Sequence, residues 1–306
     1  MTIDVIIPVY KPGKELFLLL DKLNSQTLPV NRIILMNTEE KYFELLTCGT
    51  VFQNKYKNVE VYHLSKREFD HGRTRCMGVN KSKASVFVMM TQDALPTDEF
   101  LLEHLTQRLS GEVAVAYARQ LATDTSSVLE RFTRMFNYPA ESSVKSAADL
   151  ERLGIKTYFC SNVCAAYRRD VYDKLGGFVR RAIFNEDMLY AAQAVKAGYQ
   201  IAYEADAQVY HSHNYTNMQQ LRRNFDLGVS QAEHPEVFAG LSSESEGKKM
   251  VKAATQYLKE NRRLVKLPYF YMQCCFKYLG YQLGKHYRKL PRKLVLKLTS
   301  NREYWG

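Results

Sequence analysis

The first 118 residues alternate between short apolar runs and segments whose apolar residues have helical spacing. The run IDVIIPV, at residues 3–9, is almost continuously apolar, which is typical of a strand that is buried on both faces. Similar runs follow, with helical segments between them: RIILM at 32–36, VEVYHL at 59–64, SVFVMM at 85–90 and EVAVAYA at 112–118. Strands that alternate with helices predict right-handed crossovers and an α/β fold with a mostly parallel, doubly wound sheet.

The rest of the chain loses this alternation. Residues 120–160 are rich in Ser, Thr and charged side chains, and KTYFCSNVCAAYR at 156–168 predicts a further strand. EDMLYAAQAVKAG at 186–198 predicts a helix, and QIAYEADAQVYHSH at 200–213 predicts two short strands. Beyond about residue 215 the pattern predicts helices to the end, with interruptions at Pro235, Pro268 and Pro291.

The positive charge of the chain is concentrated near its end. The net charge is +11, and residues 261–302 contain eleven Lys and Arg residues and no acidic residue. With Glu303 counted, residues 261–306 carry +10, which leaves about +1 for the residues before them. A nearly neutral main part argues against broad binding to a nucleic-acid backbone, so we expect no nucleic-acid partner.

In the basic segment, Lys and Arg are interleaved with aromatic and aliphatic residues, which is the pattern of a helical segment that lies on anionic lipid. The alternative is a pair of helices that packs on the main domain or forms a homo-oligomer. No apolar run approaches the ~18 residues of a membrane-spanning helix. The six cysteines show no CxxC pair and no zinc-ligand spacing, which favours reduced thiols in the cytoplasm.

Polar residues follow the carboxyl ends of the predicted strands, where open α/β sheets bind ligands. The sequence has neither GxGxxG after the first strand nor GxxxxGK[ST], which argues against a dinucleotide-dependent dehydrogenase and excludes a P-loop. A single acid, Asp93, follows the fourth strand. It could cap a helix ahead of Pro96, or it could bind a divalent cation whose coordination is completed by a diphosphate and water.

Two further segments are unusually rich in charge. In EFDHGRTRCMG, at 68–78, Arg75 near a helix start could face a phosphate, or the segment could be a solvated turn. In FNEDMLY, at 184–190, Glu186 and Asp187 stand at a helix start. They could cap that helix, or one of them could be a general base near a sugar hydroxyl.

The segment YHSHNY, at 210–215, places His211 and His213 in alternation at the end of a strand, so we expect the two side chains to point the same way. Either both histidines are structural, or one contacts a metal ion or a phosphate.

Five motifs in order, VIIPVY, FDHGRTR, TQDALP, NED and HSHNY, resemble the family 2 glycosyltransferases over about residues 1–230. Within that family they are most similar to bacterial rhamnosyltransferases of cell-wall or surface polysaccharide synthesis. The resemblance implies a GT-A (nucleotide-diphospho-sugar transferase) fold. It divides the chain into a catalytic domain over 1–230, with a nucleotide-binding half (1–118) and an acceptor-binding half (119–230), and a basic helical extension over 231–306.

The resemblance also implies an inverting transfer of L-rhamnose from dTDP-β-L-rhamnose to a lipid-linked or polysaccharide acceptor, assisted by Mg²⁺ or Mn²⁺. Such an enzyme would work in the cytoplasm on the inner face of the membrane, with residues 261–302 on the anionic lipid surface. The alternatives are transfer of another sugar of the hexose or galactofuranose type, a metal-dependent nucleotidyltransferase, and a non-catalytic module that binds membrane or nucleic acid.

The resemblance assigns roles to individual residues. It implies that Asp187 is the catalytic base, with Glu186 beside it, and that Asp93 holds the cation together with His211, His213 being the second choice. The implied contacts to the nucleotide sugar are Pro8, Tyr10, Thr38, Asp70, Arg75, Gln92 and Asp93.

The chain departs from the usual family pattern at three places. Thr91 stands where the DxD motif has its first Asp, Asn37-Thr38 stands where an Asp-Ser pair is more usual, and Cys76 stands where an Asn usually follows the arginine.

Overall fold

A computed structural model of the protein describes residues 1–241 and 243–306. These residues form two compact units. The first comprises Met1–Leu121, Tyr138–Arg181 and Glu186–His211, and the second comprises Ala122–Asn137, Ala182–Asn185 and Ser212–Gly306. The functional division between residues 230 and 231 stays a prediction.

The first unit is built on one mixed sheet. Its strands, within the described residues, are β1 (Ile3–Tyr10), β2 (Arg32–Thr38), β3 (Val59–Leu64), β4 (Val86–Met90), β5 (Leu95–Pro96), β6 (Val113–Leu121), β7 (Ser143–Lys145), β8 (Cys164–Arg168) and β9 (Gln200–Tyr210). The strand order is β3-β2-β1-β4-β8-β6-β9-β5, and β7 also pairs with β9.

Strand direction divides this sheet into two parts. β3, β2, β1 and β4 are parallel to one another, as the sequence predicts. β8 runs antiparallel to both β4 and β6, while β6 and β9 are again parallel and β5 and β7 are antiparallel to β9. The α/β class is confirmed, but the parallel arrangement does not extend past β4, because β8 reverses the direction of the chain.

The helices of the first unit are α1 (Glu15–Asn24), α2 (Glu40–Thr47), α3 (Phe52–Lys55), α4 (His71–Lys81), α5 (Leu101–Gln107), α7 (Leu150–Leu153), α8 (Arg169–Lys174) and α9 (Glu186–Lys196). Those of the second unit are α6 (Val128–Asn137), α10 (Asn217–Glu233), α11 (Pro235–Phe238), α12 (Ser243–Glu260), α13 (Leu267–Lys285) and α14 (Arg292–Leu298). Short 3₁₀ turns connect several of them.

The core of the first unit lies against the continuous apolar strands. Val5, Ile7 and Val88 are fully buried, and the helix α1 covers them with Leu19 and Leu20. These strands form where the sequence predicts because both faces are covered and most positions are therefore apolar, with the buried Asp4 as an exception in β1.

Two of the predicted strands differ from the observed ones. Only the last five residues of 156–168 form a strand, β8, because Gly154–Tyr158 is a 3₁₀ turn. The two short strands predicted after residue 200 are one strand, β9, with a register shift against β6 near Ala118. β9 ends at Tyr210, so the strand alternation used to orient His211 and His213 does not apply to them.

The second unit is helical, as predicted for the residues beyond 215. Pro235 begins α11, Pro268 lies in the first turn of α13 and Pro291 precedes α14. A proline is tolerated there because the first N–H groups of a helix have no intrahelical acceptor. No helix in the described part of the chain is both long enough and apolar enough to cross a membrane.

Close contact between α10 and α13 requires glycine in the second unit. A Cβ atom on Gly280 would overlap the carbonyl oxygen of Leu221, and one on Gly284 would overlap that of Phe225. Gly228 on α10 is limited in the same way by the carbonyl oxygen of Tyr281. The two helix backbones therefore approach at positions where only glycine fits.

Candidate active site

The carboxyl ends of β1, β2 and β4 meet at one edge of the sheet. The parallel register pairs Tyr10, the last residue of β1, with Thr38, the last residue of β2. Directly after β4, the side-chain amide of Gln92 accepts from the backbone N–H of Tyr10 at 2.9 Å and donates to its carbonyl at 3.0 Å. The ends of these three strands therefore lie close together. Gln92, expected at the nucleotide sugar, holds the backbone at the end of β1.

An exposed aromatic surface lies at this edge. The side chain of Tyr10 is 39% exposed, and its ring meets that of Tyr42 edge-on with 5.8 Å between the centroids. The Lys11 ammonium lies 5.3 Å from the Tyr10 ring and 5.1 Å from the Tyr42 ring. Pro8, two residues earlier, is half-buried. An exposed ring of this kind can stack on a nucleobase.

Three buried polar atoms at these strand ends have no hydrogen-bond partner among the described residues: Asn37 Oδ1, Thr38 Oγ1 and Thr91 Oγ1. The amide nitrogen of Asn37 does have one, since it lies 2.9 Å from Nδ1 of His63. Buried polar groups are almost always bonded, and unsatisfied ones often mark a place where a ligand completes the network. Thr38 is therefore suitably placed for the predicted ligand contact.

Asp70 and Arg75 open the helix α4. Asp70 Oδ1 accepts from the backbone N–H groups of Gly72 at 2.8 Å and Arg73 at 3.0 Å, which makes Asp70 the N-cap. Arg75 Nη1 donates to the carbonyl of His71 at 3.0 Å. Both side chains are buried, so the interpretation of these two residues as part of a solvated turn is wrong.

Arg75 also forms a buried ion pair with Glu186, at the start of α9. Arg75 Nε lies 3.2 Å from Glu186 Oε1, and the two side chains are only 8% and 6% exposed. Burial alone would raise the pKa of Glu186, but the positive charges of Arg75 and His71 and the hydrogen bond from Asn162 together outweigh it, and the net effect is a lowered pKa. The environment of Glu186 therefore favours its ionised form, which pairs with Arg75.

Asp187 lies next to this pair in a different environment. Its Oδ2 accepts from the backbone N–H of Asn162 at 2.9 Å, and its Oδ1 accepts from that of Met188 at 2.8 Å. Burial, and then the neighbouring negative charge of Glu186, raise the pKa of Asp187 to about 7. Adjacent carboxyl groups with opposite pKa shifts are a known signature of an acid–base site.

The turn that presents the two acids is conformationally unusual. Asn185, immediately before α9, has a φ of +65°, in the left-handed region that asparagine tolerates better than most residues. Non-glycine residues in this region often occur at functional sites.

A second cluster contains Asp93 and His211. Asp93 is followed by the short strand β5 and not by a helix, so the interpretation as a helix cap is wrong. His211 Nε2 lies 3.5 Å from Asp93 Oδ1. His211 is buried, whereas the Asp93 side chain is 45% exposed. His213, the second choice from the sequence, lies in the second unit.

Gln120 determines which nitrogen of His211 carries the proton. The Gln120 amide nitrogen donates to the Tyr138 hydroxyl at 2.6 Å and to the Ser161 hydroxyl at 2.9 Å. Its oxygen therefore faces His211 Nδ1, at 2.9 Å, and can only accept. Nδ1 carries a proton, so in the neutral imidazole Nε2 presents its lone pair on the side of Asp93. This arrangement is typical of a metal-binding histidine.

Asn162 and Gln120 are site residues that the sequence does not reveal. Besides its N–H contact to Asp187, Asn162 donates through Nδ2 to Glu186 Oε1 at 3.0 Å and accepts at Oδ1 from the Tyr167 hydroxyl at 2.7 Å. Its neighbour Ser161 contacts Gln120. Residues 161 and 162 thus link the acid pair to the Asp93–His211 cluster.

The family model described as "Glycosyl transferase family 2" matches residues 4–176. This range covers more than half of the chain and contains Asp70, Arg75 and Asp93. The chain belongs to glycosyl transferase family 2. The family 2 membership predicted from the five motifs is thereby confirmed, and the protein is a glycosyltransferase.

Similar sequences and structures extend beyond the matched range of this family 2 glycosyltransferase. The O-antigen chain rhamnosyltransferase RfbN of Salmonella typhimurium is 36% identical over 311 residues, which cover 100% of this chain and 96% of that protein. The O-antigen chain rhamnosyltransferase WbaN of Salmonella anatum is 40% identical over 248 residues, which cover 79% of this chain and 78% of that protein.

Two solved structures share the fold of the family 2 glycosyltransferase. The mannosyltransferase PcManGT from Pyrobaculum calidifontis, in complex with GDP-Man and Mn²⁺, superposes with a TM-score of 0.63 at 13% identity, over 94% of this chain and 88% of that one. S. aureus TarS 1–349, in complex with UDP-GlcNAc, superposes with a TM-score of 0.52 at 15% identity, over 94% and 92% of the two chains. The GT-A fold is thereby confirmed.

Proposed function

We propose that this glycosyltransferase moves L-rhamnose from dTDP-β-L-rhamnose onto a hydroxyl of a lipid-linked or polysaccharide acceptor, with inversion of the anomeric centre. The names of the two relatives support the sugar and the polysaccharide pathway. The observation that carries the chemistry is the acid pair, in which Arg75 helps to lower the pKa of Glu186 while the pKa of Asp187 is raised to about 7.

Asp187 would act as the general base. A carboxylate whose pKa lies near the working pH is both deprotonated often enough and basic enough to take a proton from an acceptor hydroxyl. In the single displacement, the acceptor oxygen forms a bond to the anomeric carbon as the bond from that carbon to the diphosphate oxygen breaks. The proton goes to Asp187 and dTDP leaves.

Glu186 and Arg75 would act by positioning. Arg75 Nε contacts Glu186 Oε1, and the same oxygen accepts from Asn162, so these contacts would hold the start of α9 and the electrostatic environment of Asp187. We retain Glu186 as a candidate catalytic residue only in this supporting sense.

The donor nucleotide would lie at the carboxyl ends of β1, β2 and β4. Tyr10 and Pro8 would contact the base, and the unsatisfied Thr38 hydroxyl would accept or donate a hydrogen bond to the nucleoside. Asp70 would support this region through its cap of α4, and Gln92 through its hold on Tyr10.

Asp93 and His211 fit a divalent cation. One carboxylate oxygen and one imidazole lone pair, 3.5 Å apart, are two donors, and a diphosphate and water can supply the rest of an octahedral shell. Nitrogen ligation favours Mn²⁺ over Mg²⁺. A bound cation would neutralise negative charge on the departing nucleoside diphosphate. His213 stays a candidate for a further ligand.

The protein would work in the cytoplasm, at the inner face of the membrane, where a lipid-linked acceptor is presented. The basic segment 261–302 supports contact with anionic lipid, because each basic residue near such a surface contributes about 1 kcal/mol.

A donor screen tests this function directly. The purified protein is incubated with dTDP-β-L-rhamnose, UDP-galactofuranose, GDP-mannose or UDP-glucose, with and without Mn²⁺, and release of the nucleoside diphosphate is measured, with water taking the place of the acceptor hydroxyl. We expect turnover with dTDP-β-L-rhamnose that requires Mn²⁺. Faster turnover of another donor would overturn the proposed sugar, and full activity in the presence of a chelator would overturn the proposed cation.

A further inference from the structure

A large apolar opening in the second unit lies between α12 and α13. It is a cavity of about 1280 Å³ with a mostly apolar lining, closed on one side by α10 through Leu227. Pockets for drug-sized ligands usually measure about 300–1,000 Å³, so this cavity can hold a longer molecule. Tyr278 and Tyr271, both exposed, stand at its α13 wall.

Lysines outnumber acidic residues around this apolar space, where the acidic lining residue Glu244 pairs with Lys285 at 3.4 Å. Lys248, Lys252 and Lys259 line it and are spaced by four and seven residues on α12, so they share one face of the helix. Lys277 lines it from α13. Among the described residues none of these four lysines has an acidic partner, in contrast to Lys249, which pairs with Glu246 at 2.6 Å.

The chemistry of this lining selects the ligand. An apolar interior favours a hydrocarbon chain, and unpaired ammonium groups favour an anion next to it. The position of Lys277 supports this, since burial lowers the pKa of its ammonium group although the charge of Glu130 acts in the opposite direction, and a further anion nearby would favour the charged form.

We propose that the cavity between α12 and α13 binds a single-chain lipid with a phosphate head group, the chain inside and the phosphate against Lys248, Lys252 and Lys277. The inference rests on the proposed function in one respect: it identifies the chemical class of the lipid that carries the acceptor. It also extends the predicted membrane-contact segment, which begins at residue 261, to include α12.

A second copy of this chain is a less suitable occupant. It would bring its own lysines and its own basic segment of residues 261–306, with a charge of +10, towards the same surface. Like charges that meet at an interface are unfavourable.

Two cysteines make the cavity measurable. Cys275 is exposed and lines the cavity, whereas Cys48 is exposed in the first unit and does not line it. The full-length protein is treated with N-ethylmaleimide in the presence of decyl phosphate or decyl maltoside, each below its critical micelle concentration, with no nucleotide sugar or metal ion. The alkylation rate of each cysteine is followed by peptide mass spectrometry.

We expect decyl phosphate to slow alkylation of Cys275 in a saturable way, to act at lower concentration than decyl maltoside, and to leave Cys48 unaffected. The variant Gly247→Phe should abolish the protection. Gly247 lines the cavity from the second turn of α12, and a Cβ there meets no atom within 4 Å, so a larger side chain extends into the cavity without a clash at its Cβ.

The head-group contact is tested by Lys252→Gln, with Lys293→Gln as the matched control. Loss of one lysine beside an anionic lipid weakens binding about fivefold, so the decyl phosphate concentration for half-protection should rise by that factor. Lys293 is exposed on α14, outside the cavity, and its variant should behave like the parent protein.

The proposal is overturned if decyl phosphate does not protect Cys275, or if Lys293→Gln weakens the protection as much as Lys252→Gln does. It is also overturned if Cys275 is shielded without lipid and becomes reactive when the protein is diluted, because that would indicate a second copy of the chain in the cavity. Because the measurement needs no turnover, protection without rhamnosyl transfer would refute the proposed function alone. Transfer without protection would refute the lipid site alone.

Discussion

Breaking the buried ion pair between Arg75 and Glu186 is expected to destabilise the first unit strongly. The two side chains are 8% and 6% exposed and their charged atoms are 3.2 Å apart. Replacing Arg75 by Met leaves the Glu186 charge buried without its partner, which costs about 3–5 kcal/mol. At about 2–4 °C per kcal/mol for a domain of 150–250 residues, the melting temperature should fall by roughly 6–20 °C.

The assay is thermal unfolding of four proteins: the parent, Arg75→Met, Glu186→Gln and the double variant. The double variant removes both charges, so it should be more stable than the two single losses added together predict. Arg152→Met is the matched control, because Arg152 is 70% exposed in its pair with Asp149 and such pairs contribute about 0.2–1 kcal/mol.

Two results would refute this reasoning. One is a loss of stability in Arg75→Met no larger than that in Arg152→Met. The other is a double variant whose loss equals the sum of the single losses, because the two charges would then be energetically independent.

Three further predictions concern the pH dependence, the metal site and the helix packing. Because the pKa of Asp187 is raised to about 7 and a base must be deprotonated, kcat/KM should rise as pH increases through about 7. Glu186→Gln should move that rise to lower pH because it removes a negative neighbour of Asp187. A pH profile that does not shift would contradict the effect of Glu186 on the pKa of Asp187. Gln120→Leu should weaken Mn²⁺ binding about 10–100-fold, because the tautomer of His211 is then no longer fixed. Electron paramagnetic resonance of free Mn²⁺ measures this affinity, and Gln107→Leu, at an exposed position, should leave it unchanged. Equal Mn²⁺ affinities of the two variants would argue against the metal site. Gly280→Ala should destabilise the protein by about 1–3 kcal/mol through overlap with the Leu221 carbonyl. By contrast, Gly247→Ala should stabilise it by about 0.5–1 kcal/mol because its Cβ meets open space, and chemical denaturation distinguishes the two.

The sequence predicts much of the nucleotide-binding part of the fold because its signals are local. The runs in β1, β2 and β4 are largely apolar, and the residues after them, such as Asp93, are placed by the ends of parallel strands. β9 was harder to predict. Glu204 and Asp206 look like turn residues, yet Glu204 is buried in the middle of the strand against Arg108.

The network around the acids could not be predicted, because its contacts join residues far apart in the chain. Gln120 meets His211 across 91 positions, and Asn162 meets Asp187 across 25. Neither residue belongs to a motif, and their importance follows only from what their side chains touch. The sequence places Asp70 in the region of the candidate site but does not show which contact its side chain makes. A helix cap and a ligand contact both use an aspartate at such a position.

The measurement that tests the central claim most directly is made on Asp187→Asn. Asparagine keeps the shape and cannot accept the acceptor proton, so the rate of rhamnosyl transfer should fall by about 10²–10⁴-fold. The affinity for dTDP-β-L-rhamnose, measured by calorimetry with Mn²⁺, should stay close to that of the parent protein, since Asp187 is assigned no donor contact. Near-normal transfer by Asp187→Asn would contradict the account.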